Sequence, residues 1–250
     1  MIYLITIPLA AAISLAWYLP GVKALGENRF LQKKDYWVIA LKYGFAFTTL
    51  LIMVTEIAWD AIMRKLPLTG LPRDIFSNFF RAALLEEFFK FQGFYLAKKK
   101  YSLNRKIDYI LTAGLIGMVY GIVEKIMLGN IAGVIVALLC PMHIIWQFNQ
   151  GGHYFEYEKA KAANDLQTAK REQSLALLMP FLFHGCWDSA LDISAYFLAK
   201  EGSTAFQAAG MGMILALVFF GVFYSIKTVK NVCETAKEAP PAVPAPDAEA

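Results

Sequence analysis

Residues 107–128 read IDYILTAGLIGMVYGIVEKIML. As a helix rising about 1.5 Å per residue, this run is long enough to cross the ~30 Å hydrocarbon core of a bilayer. Its charges, Asp108, Glu124 and Lys125, lie toward the ends. On either side of it, comparable runs occupy residues 2–19, 36–59, 75–97, 131–150, 175–199 and 204–228, which makes seven predicted spans. Backbone polar groups in lipid must be satisfied within the segment, so such runs read as helices rather than strands. The expected fold is therefore all-α, a polytopic transmembrane helix bundle.

Composition points the same way. The 250 residues are 58% hydrophobic and 18% charged, against roughly half and a quarter for soluble domains. A disordered chain would need the opposite balance. Cys140, Cys186 and Cys233 show no paired spacing, which excludes a disulfide framework and a Cys-rich zinc module. A net charge of +4, scattered along the chain, argues against a nucleic-acid partner. Sixteen of the 24 Lys and Arg residues fall in one alternating set of connections, among them Lys98, Lys99, Lys100, Arg105 and Lys106. The other set holds Arg64, Lys65, Arg73 and Lys200. By the positive-inside rule the N-terminus is outside and the C-terminus cytoplasmic, in a multi-pass protein of the cell membrane. The first span lacks a basic leader and a cleavage signal, so it is expected to be retained. Residues 1–232 read as one membrane domain with a candidate active-site core at 75–199. Residues 233–250, rich in Pro and Ala, read as a disordered tail.

Charge inside a span costs about 2.5–3.5 kcal/mol on insertion scales and marks function by default. Glu86, Glu87, Lys90, His143, His184 and Asp188 sit well inside the predicted spans. Helical rise places Glu87 and His143 roughly 18 Å from the outer surface, Asp188 about 17 Å and His184 about 22 Å. Glu124 is shallower, about 6–8 Å, and joins this level if the Gly129-Asn130 turn is buried. Glu86 and Glu87 lie four and three residues before Lys90, so both reach its ammonium. Two neighbouring carboxylates cannot both ionise cheaply in a low dielectric without such a cation. One Glu is expected to pair with Lys90, leaving the other to act as base toward water. Asp188, four after His184, can hold that imidazole in one tautomer. Pro141 should kink the helix beside His143. Gly117-x-x-x-Gly121, with Gly114, offers a close-packing face.

Four blocks then resemble the PrsW family of intramembrane proteases, distant relatives of the CAAX prenyl endopeptidase group. Glu86-Glu87-Phe88-Phe89-Lys90 is similar to the family's EExxK. Asp108 to Glu124, closing on Tyr120-Gly121-Ile122-Val123-Glu124, is similar to a Gly-rich helix ending in FxxxE. His143 followed by Gly151 resembles the family's isolated His and later Gly, and His184-Gly185-Cys186-Trp187-Asp188 resembles HxxWD. The chain departs at Tyr120, where the pattern has Phe, and at Lys125, where it often has Asn. The resemblance implies hydrolysis of a peptide bond in a membrane-anchored protein, an anti-sigma factor in the best-known members.

Amide hydrolysis needs an activated water, an oxyanion stabiliser and a proton donor for the leaving amine. On this reading Glu86 or Glu87 is the base, His143 and His184 stabilise or protonate, and Asp188 orients His184. A zinc-dependent version would use Glu124, His143 and His184 as ligands. HExxH is absent, and the balance leans to a glutamate/histidine site without an obligatory metal. A proton- or ion-coupled transporter is the alternative, because it too would use a polar cluster at mid-membrane.

Overall fold

The computed structural model describes residues 2–26, 31–128, 141–199 and 203–239. It is an all-α bundle. Helix α1 (Ile2–Ala24) precedes a long rod made of α2 (Lys33–Val38), a π-helical segment Ile39–Thr49 and α3 (Leu50–Met63). A second rod joins α4 (Gly70–Ser77), a π-helical segment Asn78–Ala83 and α5 (Leu84–Tyr101). Then come α6 (Lys106–Leu128), α7 (Met142–Ala162), α8 (Leu166–Leu198) and α9 (Thr204–Lys237).

Among the described residues, three helical stretches are long and apolar enough to cross a membrane: Lys34–Met63, Lys106–Glu124 and Thr204–Lys237. This corrects the expectation of seven spans. The three correspond to the predicted runs at 36–59, 107–128 and 204–228. The predicted run at 75–97 falls on the α4–α5 rod, whose load of Arg81, Glu86, Glu87 and Lys90 is too polar. The run at 175–199 falls on α8, whose apolarity is diluted by His184, Asp188, Asp192 and three serines. A count of apolar runs does not subtract the charges that make the inner faces polar. The run at 131–150 lies partly outside the described residues, as does the Gly129-Asn130 turn, and so do residues 240–250 of the expected tail. Helix α9 continues to Lys237. The expected sidedness and the depth ladder are counted over seven spans and lose that frame. The chain is an all-helical, multi-pass membrane protein with several apolar spans.

Two local devices position the site. In the first rod, Thr48 and Thr49 hydroxyls donate to the carbonyls of Tyr43 and Gly44, five residues back. That spacing accompanies the π-helical widening there. Gly93 of α5 lies so close that a Cβ would strike the Thr48 hydroxyl, which holds α5 tightly on this segment. On α6, Gly114, Gly117 and Gly121 leave room for α7. A Cβ on Gly117 would meet the His143 carbonyl, and one on Gly121 would lie 3.2 Å from His143 Cδ2. The small-residue face of α6 is thus the bed on which His143 rests.

Candidate active site

Glu86 and Glu87 open the first turns of α5, directly after the π-helical segment Asn78–Ala83. A π-helical turn shifts the angular register of the residues after it, and here both carboxylates are buried, at 3% exposure each. Lys90, fully buried, reaches Glu87 Oε1 at 2.7 Å and Glu86 Oε2 at 3.3 Å. Its third neighbour is His143 Nδ1, at 2.9 Å.

An ammonium can only donate, so His143 Nδ1 accepts and Nε2 carries the proton. That proton points at Glu124 Oε2, 2.7 Å away. His143 itself lies in the first turn of α7, which begins at Met142. Pro141 is the residue that precedes the helix, and its carbonyl accepts from the Ile144 and Ile145 amides. Within the described residues it starts a helix rather than kinking one, because a residue without an N–H costs nothing at a helix start.

His184, at 1% exposure, enters from α8. Its Nδ1 lies 2.9 Å from Glu87 Oε1 and its Nε2 3.1 Å from Asp188 Oδ2. Carboxylates on both nitrogens favour the doubly protonated ring. The two imidazoles meet edge to face with centroids 5.0 Å apart. Four carboxylates (Glu86, Glu87, Glu124 and Asp188) and two imidazoles from α5, α6, α7 and α8 therefore surround one lysine.

Other charged groups of these helices lie elsewhere. Arg81 pairs with Asp60 at 3.2 Å. Asp192 accepts from the Asn78 amide at 2.8 Å. His153 pairs with Glu172 at 2.7 Å at the far end of α7.

Three contributors have no role assigned from the sequence. Gln147 donates to Glu87 Oε2 at 2.8 Å. Its one signal is an amide a single turn after His143. The Trp146 ring stacks on His184 with centroids 4.8 Å apart. Tyr120 places its ring 4.5 Å from Lys90 Nζ.

Glu87 is saturated: Lys90, Gln147 and His184 all address it. Glu86 differs, since its Oε2 is buried and has no hydrogen-bond partner. Ligand atoms of Glu86, His143 and His184 lie within 4.8 Å of one another, a cluster capable of holding a metal ion. This trio takes Glu86 where the sequence reading placed Glu124, which instead bonds to His143 from the rim with a quarter of its side chain exposed. The donor set suits a divalent metal on two further counts. Carboxylate oxygen and imidazole nitrogen are zinc ligands, and among the described residues four carboxylates outnumber one ammonium and one imidazolium, which leaves negative charge for a dication to offset.

A family model described as PrsW family intramembrane metalloprotease matches residues 32–226. No curated protein and no solved structure matches the chain.

Proposed function

This chain belongs to the PrsW family of intramembrane metalloproteases, and on that basis we propose that it is an endopeptidase cutting a membrane-anchored protein, with Glu86 as the reactive carboxylate. The observation that carries the reading is the Glu86 Oε2 atom. It is buried and lacks a hydrogen-bond partner, and it lies 3.8 Å from His184 Nε2. That separation is too long for a direct hydrogen bond and suits a bridging water.

The attacking water is held at Glu86 Oε2, which takes its proton. Glu87 anchors Lys90, Gln147 and His184 and so fixes the frame. His184, between Glu87 and Asp188, carries a proton on Nε2 and faces the same space. It stabilises the developing oxyanion and supplies the leaving amine with a proton. Asp188 orients it. Lys90 offsets the carboxylates and holds His143, whose Nε2 proton is tied to Glu124 at the rim. Glu86, His143 and His184 are also the residues that would hold a zinc ion, each imidazole giving up a proton or a hydrogen bond to do so, and the ion when bound supplies Lewis-acid activation of water. Substrate reaches the site from the side of Glu124 and Asp188, the two partly exposed members. A single-span protein of the anti-sigma-factor kind fits that approach.

The test is cleavage of a single-span reporter in liposomes by purified protein, with metal content measured on the same sample. Cleavage that is lost in His184→Ala, with folding intact, supports the reading. Proton or ion flux without cleavage would transfer the cluster to a transporter.

A further inference from the structure

A second cavity lies away from the Glu86 cluster, where the start of α6 meets the second half of α7, the first turns of α8 and the end of α9. Its volume is about 250 Å³. Sites for drug-sized ligands run to roughly 300–1,000 Å³, so this one suits a smaller group. Ile110, Phe148 and Val232, each at 5% exposure or less, line its apolar side. The rest of the lining carries both signs of charge. Lys106 meets Glu156 at 2.7 Å, and His153 meets Glu172 at 2.7 Å. Lys106 has three N–H donors, and Glu156 accepts one of them. Asn149 donates both amide N–H groups, to the Ile145 carbonyl and the Tyr224 hydroxyl, so what it offers a ligand is its carbonyl oxygen.

The cavity also sits at a boundary. The exposed apolar side chains of α9 end at Ile226, and Lys227 and Lys230 follow. The residues that α9 gives to the cavity, from Thr228 to Thr235, begin at that point. On α7, Tyr154 packs beside it against Tyr109 and Tyr157. Tyrosine and lysine gather where a membrane meets water, which is the level of lipid headgroups. We propose that this cavity binds the phosphoethanolamine headgroup of an aminophospholipid. Its phosphate is held by Lys106 and His153, and its ammonium by Glu156, Glu172 and the Asn149 carbonyl oxygen. A lone anion would face the two carboxylates, and a lone cation would face Lys106. A group with both charges finds a partner for each. A choline headgroup has no N–H for these acceptors, and a glycerol headgroup brings no cation. The bound group would join α9 to α6, α7 and α8, the helices that carry Glu124, His143 and His184. The inference goes beyond the peptidase reading and is tested without it.

The experiment titrates the full chain, delipidated in a neutral detergent, with phosphatidylethanolamine, phosphatidylcholine or phosphatidylglycerol of the same acyl chains. Native mass spectrometry reads binding, and thermal melts read stabilisation. Phosphatidylethanolamine should bind roughly tenfold tighter than either other lipid, a margin that one hydrogen bond to a charged group supplies. It should also raise the melting midpoint most. Gly152→Leu fills the cavity and leaves the ion pairs in place, since a Cβ there meets Ile110 at 3.7 Å and the Lys106 stem at 4.0 Å. This variant should keep the lipid-free midpoint and lose the preference. Glu156→Gln should bind phosphatidylethanolamine no better than phosphatidylcholine. Excess soluble phosphoethanolamine should displace the lipid from wild type. Equal binding of the three lipids by wild type overturns the inference, as does a full preference kept by both variants. Soluble phosphoethanolamine that binds while the lipid shows no preference overturns the lipid as its source.

Discussion

The molecule holds two clusters of charge built to opposite rules. At the far end of α7, carboxylates and cations are matched. Glu156 pairs with Lys106 at 2.7 Å, Glu158 with Lys98 at 2.6 Å, and Glu172 with His153 and Arg171 at 2.7 Å each. Most of these side chains are partly exposed. Exposed pairs of this kind contribute up to about 1 kcal/mol each and tie helices together. At the Glu86–His184 cluster Glu86, Glu87, Lys90, His143 and His184 are buried, and among the described residues four carboxylates face one ammonium and one imidazolium. Burial without charge balance is costly. A fold that only needed helix ties would use the matched arrangement in both places. The imbalance, together with an acceptor left open on Glu86, is what distinguishes chemistry from scaffolding.

The largest effect should follow removal of the buried lysine. Lys90→Met strips the ammonium that faces Glu86 and Glu87, and loss of one member of a buried ion pair costs about 3–5 kcal/mol. Thermal melts in detergent should show a large drop, with cleavage abolished. The equivalent change at the matched end, Lys106→Met, should cost about 1 kcal/mol or less. Equal losses in the two variants would erase the distinction between the clusters.

Glu86→Gln should reduce cleavage by about a thousandfold, within the range for removing a general base. The melting temperature should not fall, because one buried negative charge is removed from an excess. Gln147→Leu should be milder, roughly tenfold in kcat, because it releases Glu87 from one of three donors. Steady-state kinetics on the reporter measures both.

The smallest effect is also the most pH-dependent. Burial pushes the Glu172 carboxyl up, but hydrogen bonds from His153 and Arg171 outweigh it and hold the group below the usual carboxylate range. A lowered folded-state value gives stability that is present above the unfolded value of about 4.3 and lost as pH falls through the folded one. Glu172→Gln should therefore cost about 1 kcal/mol at neutral pH and progressively less as pH falls through the folded-state value. Melts across that range check the sign.

Much of this contrast is legible in the sequence. Glu86, Glu87 and Lys90 announce themselves by helical spacing, and so do His184 and Asp188, because an i to i+4 relation needs no tertiary knowledge. The contributions of Gln147 and Tyr120 are not legible, since each depends on which face of α6 and α7 turns toward α5. The exchange of Glu86 for Glu124 in the metal-capable trio has the same origin. The π-helical segment Asn78–Ala83, directly before Glu86, likewise carries no reliable sequence mark. The span count fails for a related reason. The helices that carry the site are polar on their inner faces, and hydropathy along a run does not separate a lipid-facing side from a site-facing one.

Whether Glu86 is the reactive carboxylate can be decided by mass spectrometry of the reporter after incubation with wild type and with Glu86→Gln, at matched melting temperature. Wild type should produce a new pair of peptide termini within or beside the reporter's span, and the variant should leave the reporter intact. The same termini formed at the same rate by Glu86→Gln would contradict the assignment.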